Sequence, residues 1–187
     1  MQTNLKKQII KKKLREKHNG FNALYKDFSS INNFIDNIAL KLSKGAQIVQ
    51  LQGDNLTDKE FSDCAIKIKQ LCEIYNATFI VKSRADIAYL SGADSVNLKQ
   101  EDLDIRRVKE MFGEEIIIGI YVDTKDGALS AVKDGADYIS VNQIFPTPTE
   151  PVKNTGLEYA KWVSENTFLP VLLERGTYTE SQITVIQ

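Results

Sequence analysis

Histidine is nearly absent from this 187-residue chain, which has His18 alone, together with one tryptophan, two cysteines and four prolines. The cysteines, Cys64 and Cys72, make no Cys-x-x-Cys pair. Eight residues apart on one helical pattern, they read as core side chains, with the cytoplasm as the expected compartment. No apolar run approaches the roughly 20 residues that a membrane helix needs, and the N-terminus lacks the apolar stretch of a secretory signal. Hairpin signals are missing between the apolar runs, which favours a parallel sheet. No Gly-x-Gly-x-x-Gly turn follows the first run, so an open dinucleotide-binding sheet is the weaker alternative.

What the chain has in quantity at one end is positive charge. Residues 1–17 carry Lys6, Lys7, Lys11, Lys12, Lys13, Arg15 and Lys17 against Glu16, a net +6 in a chain whose overall charge is −1. Leu5, Ile9, Ile10 and Leu14 give the segment an apolar stripe, which predicts a helix over residues 1–19 docked by that stripe with its basic face in water. A nucleic-acid or anionic-membrane patch is the competing reading, and no aromatic ring lies there to stack on a base. His18, beside this segment, reads as a solvated side chain.

The remainder, residues 20–187, has the composition of one globular domain. Three stretches in it are alike: "KGAQIVQL" from Lys44, "SGADSVNL" from Ser91 and "DGADYISV" from Asp134. Their glycines, Gly45, Gly92 and Gly135, lie 47 and 43 residues apart, a period that marks a repeated supersecondary unit. Ile31, Phe34, Ile35, Ile38 and Leu42 keep helical spacing up to Gly45. Thr57 and Glu60 make a capping box before Phe61, Cys64, Ala65, Ile68 and Cys72. Helices are also predicted from Leu103 to Phe112 and from Thr124 to Asp134. Between them stand the strand-like runs "QIVQL", "TFIV", "DSVNL", "EIIIGI", "DYISV" and "LPVLL". Two strand–helix units per repeat suit a (β/α) barrel, whose site is built at the carboxyl ends of its strands. Those ends read "QLQGDN", "VKSRAD", "VNLKQED", "GIYVDT" and "VNQIFPTPTE", dense in amides, hydroxyls and charge.

From about Phe21 to about Thr184 these strand ends, in this order, resemble the thiamine-phosphate synthase family and its relative, the thiazole tautomerase. The resemblance rests on "VQLQGDNLTDKEF", "SRADIAYLSGADSVNLKQEDL", "IIIGIYV" and "GADYISVNQIFPTPTE". It implies a TIM-type barrel, here lacking the last strand–helix unit and preceded by the basic helix. It also implies an activity of thiamine biosynthesis: joining a pyrimidine diphosphate to a thiazole phosphate, with release of pyrophosphate and help from Mg²⁺.

Carried over position by position, the family patterns meet both matches and departures. Gln50, Arg84, Asp86, Gln100, Asp102, Thr147 and Thr149 match them. The family arginine is Gln52, its two lysines are Asp54 and Glu150, and its Asn-Asp pair is Lys82-Ser83. The histidine before Leu98 is Asn97, the glycine after it is Lys99, and the serine of Gly-x-Ser is Tyr121. Where the tautomerase has its histidine, this chain has Asp123. The resemblance therefore implies Lys82 and Asp102 as catalytic residues, with Asp102 the remaining metal carboxylate or, on its local sequence alone, a helix cap. Lys82 is expected to pair with Asp102 as an internal cation in the place of Mg²⁺. Gln50, Gln52, Arg84, Asn97, Lys99, Gln100, Tyr121, Thr147 and Thr149 are implied as substrate-binding. Arg84 with Asp86 reads equally as a structural ion pair. The expected ligand is a phosphate ester or a pyrimidine- or thiazole-like molecule. The barrel edge is expected to be open or to be covered by the N-terminal helix, a second copy or a partner chain. A non-catalytic binding descendant is the alternative, because the exchanges at 52, 54 and 150 remove positive charge.

Overall fold

The computed structural model describes residues 2–15, 20–24, 30–53, 56–113, 116–141 and 157–173. Seven strands form one sheet: β1 (Gly20–Leu24), β2 (Ile48–Gln52), β3 (Thr78–Lys82), β4 (Ser95–Leu98), β5 (Ile117–Tyr121), β6 (Tyr138–Val141) and β7 (Val171–Leu173). They pair in sequence order and all in parallel. The helices are α1 (Gln2–Arg15), α2 (Ile31–Ser43), α3 (Asp58–Ile74), α4 (Ala85–Leu90), α5 (Ile105–Phe112), α6 (Lys125–Asp134) and α7 (Leu157–Thr167). β1 is absent from the runs picked out by hydropathy, because Gly20 and Asn22 interrupt its apolar pattern.

Strand alternation sorts the side chains. Val49, Leu51, Phe79, Val81, Val96, Leu98, Ile118, Ile139 and Val141 belong to one core with Phe34, Ile38, Cys64, Ile68, Val108 and Val163 of the helices. Ile48, Ile80, Ile117, Tyr138 and Leu172 face the other way and form a second cluster with Ile10 and Leu14 of α1. Side chains two strands apart touch on this inner face, as when Ser95 Oγ lies 3.1 Å from Tyr138 Oη, so the sheet is curled around them. Ile48, Ile117 and Tyr138 are the first residues of their strands. α1 thus closes the amino-terminal end of the barrel with Ile10 and Leu14, whereas Ile9 of the expected stripe is exposed. Its basic face reaches the rim, where Lys11 and Lys7 lie 2.6 and 3.3 Å from the buried Asp137.

The three-fold sequence repeat has a mechanical meaning. Gly45, Gly92 and Gly135 adopt φ of 90°, 65° and 86°, the left-handed turn that ends each preceding helix. Two residues on, Asp94 and Asp137 lash the next strand to the previous one. Asp94 N donates to Phe79 O at 3.0 Å while its carboxylate accepts Phe79 N at 3.0 Å. Asp137 does the same with Ile118, at 2.7 and 3.0 Å. Each buried carboxylate also meets an ammonium, Lys69 at 2.9 Å for Asp94 and the α1 lysines for Asp137. In the first copy Gln47 stands at this position, and its carbonyl accepts from Thr78 N of the following strand at 2.8 Å.

Two expectations shift. The helix predicted from Leu103 starts at Ile105, because Asp104 is its cap, accepting Arg106 N at 2.7 Å, and Leu103 is half exposed. Asp102 is therefore not the cap of α5. Among the described residues β1 pairs only with β2 and β7 only with β6. Residues 174–187, on which the missing last unit turns, lie outside the described residues.

A polar layer beneath the barrel mouth

The inner face is layered by alternate strands. Above the apolar floor, β2, β4 and β6 contribute Gln50, Asn97 and Ser140, which are 2%, 1% and 0% exposed. These three are the same position of the three sequence repeats, six residues after Lys44, Ser91 and Asp134. They meet by hydrogen bonds across 47 and 43 residues, the spacings of the repeat glycines themselves. Asn97 Nδ2 donates to Ser140 Oγ at 2.9 Å and, at 3.4 Å, to Gln50 Oε1. Ser140 Oγ also lies 3.0 Å from Asn97 Oδ1. Gln50 Nε2 is buried without a hydrogen-bond partner among the described residues. Beneath the layer, the Tyr138 ring crosses the barrel so closely over Gly119 that a Cβ there would run into it.

By the same alternation Gln52, Lys82 and Tyr121, the last residues of β2, β3 and β5, stand at the mouth and are half-buried. Lys82 is in register with Asn97, and Tyr121 with Ser140. The chain leaves β3 through Ser83 at φ 60°, a conformation costly for a residue with a Cβ, and a short turn bonds Arg84 N to Lys82 O at 2.7 Å. Ser83 N in turn donates to Asn97 O at 2.9 Å, tying this turn to the polar layer.

Arg84 is bound into the rim. Its Nε and Nη2 grip Asp86 at 2.9 and 2.7 Å, and Nη1 reaches Asp58 at the start of α3 at 2.6 Å. Those contacts hold the guanidinium pKa well above its ordinary value, Asp86 first and Asp58 second. Arg84 likewise pulls the Asp86 carboxyl below its usual range. Three of the five N–H donors of Arg84 thus join α3 to α4. The structural ion pair is what the geometry displays.

In the loop after β4, Asp102 accepts Lys99 N at 2.8 Å and so folds the turn that carries the exposed Lys99. The expected ion pair between Lys82 and Asp102 is absent among the described residues. Gln100 lies over Gly127 in the first turn of α6, where any Cβ would displace its amide. Thr147, Thr149, Asp54, Glu150 and His18 lie outside the described residues. For Mg²⁺ the described donors do not fit. Asp102 has one oxygen committed to a backbone N–H, and no group of three metal-binding side chains occurs among the described residues.

Ser140 was not singled out by motif reading, although superposing the repeats aligns it with Gln50 and Asn97. A lone serine inside "DYISV" carries no chemical signal until that alignment is made.

The family model for thiamine monophosphate synthase matches residues 25–186. A thiamine-phosphate synthase of Caldicellulosiruptor bescii is 37% identical over 152 residues, which are 80% of this chain and 69% of that protein. One from Nostoc punctiforme is 34% identical over 148 residues, 79% of this chain but only 42% of that protein. This chain thus spans less than half of the Nostoc protein. Among solved structures, the thiamine phosphate pyrophosphorylase of Pyrococcus furiosus superposes with a TM-score of 0.77 at 28% identity, over 92% of this chain and 82% of that one. No described helix is long and apolar enough to cross a membrane.

Proposed function

The chain belongs to the thiamine monophosphate synthase family, and from that premise we propose that its barrel mouth takes a pyrimidine diphosphate and a thiazole phosphate and joins them, releasing pyrophosphate. The observation that carries this reading is the amide-and-hydroxyl layer of Gln50, Asn97 and Ser140 under a mouth containing Lys82. A neutral hydrogen-bonding floor suits a heteroaromatic ring, and an ammonium above it suits the phosphates attached to that ring. Departure of a diphosphate places negative charge on the leaving oxygens, which a cation held in advance stabilises. In this proposal Lys82 and Lys99 supply that charge, and Asp102 acts by folding the Lys99 turn. Gln52, Tyr121 and the amide of Gln100 donate neutral hydrogen bonds around the phosphates, with Thr147 and Thr149 as the proposed phosphate loop. Arg84 shapes the rim on which this site stands. The proposed compartment is the cytoplasm, and a second copy is the proposed cover for the β1 and β7 edges.

A second reading has its own support. Gln52 is neutral where the family has an arginine, and Asp54 and Glu150 are acidic where it has lysines, so diphosphate binding is weakened and a non-catalytic ligand-binding role is favoured on charge. A single-turnover assay separates the two. High enzyme concentration, both substrates and Mg²⁺ are expected to yield thiamine phosphate above a no-enzyme control. No product from a sample shown to be folded by circular dichroism would leave the binding reading in its place.

A further inference from the structure

Helix α1 stops the amino-terminal pole of the barrel without filling it. Between Ile10 and the turn from α3 into β3 lies a crevice of about 280 Å³, well above the ~150 Å³ cavity that encloses a benzene ring. Its inner wall is Thr78, the first residue of β3, at the far end of that strand from Lys82 and the mouth. Thr78 shares the inward parity of Ile80 and is in register with Ile48, so its side chain is turned toward the cluster that holds Ile10. The residue is 2% exposed, and its hydroxyl has no hydrogen-bond partner among the described residues. A valine would take up the same space without an orphaned hydroxyl and would suit a strand as well. Native structures keep few such groups without use. The outer wall is charged, but its charges are already matched. Lys69 lies 2.9 Å from Asp94 and 3.5 Å from Glu73, and the second oxygen of Asp94 accepts Phe79 N. An ion entering here would have to displace partners that are in place.

We propose that this crevice is a second ligand site, for an uncharged molecule about the size of a substituted six-membered ring. Its apolar body rests on Ile10 and Ala77, and one hydroxyl or carbonyl oxygen meets Thr78 Oγ1. A threonine hydroxyl both donates and accepts, so either kind of oxygen completes it. The apolar side gives affinity in proportion to the surface covered, and Thr78 selects for oxygen at one point. The site lies at the opposite pole from the mouth, and it stands whether or not the substrate reading holds. A ligand resting on Ile10 also holds α1 against the barrel, since Ile10 belongs both to the crevice and to the inner cluster.

The test uses phenol and toluene, two rings of one shape that differ by a hydroxyl against a methyl. Each is titrated into the ¹⁵N-labelled full chain, native and Thr78→Val, and amide shifts are followed. Phenol is expected to give saturable shifts at Ala77, Thr78 and Asp94 in the native chain. Thr78→Val is expected to weaken phenol about fivefold and to leave toluene unchanged. No saturable shift at those amides, shifts confined to the mouth, or equal phenol affinity in Thr78→Val would each overturn the site. Urea unfolding without ligand gives a second readout. A hydroxyl kept unbonded for a ligand costs the empty chain stability, so Thr78→Val is expected to raise the urea midpoint. A midpoint that falls would mean that the hydroxyl is already served, by water for instance, and would overturn the proposal even if phenol bound.

Discussion

The two thiols of α3 show how far burial alone decides a residue's chemistry. Cys64 and Cys72 are completely enclosed between α3 and the sheet. Loss of water around the charged form pushes the Cys64 thiol up and carries Cys72 to about 12, with the Asp94 carboxylate adding to the rise at Cys72. Neither forms the reactive thiolate at ordinary pH. Iodoacetamide at pH 8 is therefore expected to leave both unmodified in the folded chain and to label both in urea, as read by intact mass. Labelling of the native chain would contradict the enclosed placement. The sequence already favoured this outcome, since both cysteines occupy the apolar face of a helical pattern. The partners of Asp102 were not legible in the same way. A carboxylate five residues beyond Asn97 looks the same in sequence whether it turns to Lys82 or to the nearby Lys99 N–H, and the structure has it folding its own loop.

At the scale of elements, β5 and β6 depend on a missing side chain. Gly119 and Tyr138 are register partners, and the tyrosine ring occupies the space where a Cβ at Gly119 would stand. The ring is also anchored by its hydroxyl, 3.1 Å from Ser95 Oγ. Gly119→Ala is expected to destabilise by about 1–3 kcal/mol through overpacking, and adding Tyr138→Leu should return part of that loss. Urea unfolding measures both, and an unchanged midpoint in Gly119→Ala would show that the ring has room to move. Helix ends were largely written in the sequence. The Thr57–Glu60 box forms as spaced, with Thr57 N to Glu60 Oε2 at 3.0 Å and Glu60 N to Thr57 Oγ1 at 3.3 Å. β1 was not, because in a short strand with a glycine and an asparagine, parallel pairing with β2 outweighs hydropathy.

At the scale of the molecule, α1 shares the barrel's inner cluster. Leu14 is 2% exposed and belongs to one buried cluster with residues from β2, β3, β5, β6 and β7. Leu14→Ala is expected to cost about 3 kcal/mol in urea unfolding, in a single transition that includes the barrel. A loss confined to a separate, earlier transition would mean that α1 docks as an appendage. The order of the strands was legible from the repeat, since copies of one strand–helix pair have few ways to stack besides side by side. What the repeat did not disclose in sequence was its inward face. Gln50, Asn97 and Ser140 share no chemistry that a motif would register, and only the curl of the sheet brings equivalent positions together.

The floor of Ile10 and Leu14 leaves the described barrel stopped at its amino-terminal end. In the proposed reaction, access therefore has an order: the ring that settles on Gln50 enters before the group that occupies the mouth and leaves after it.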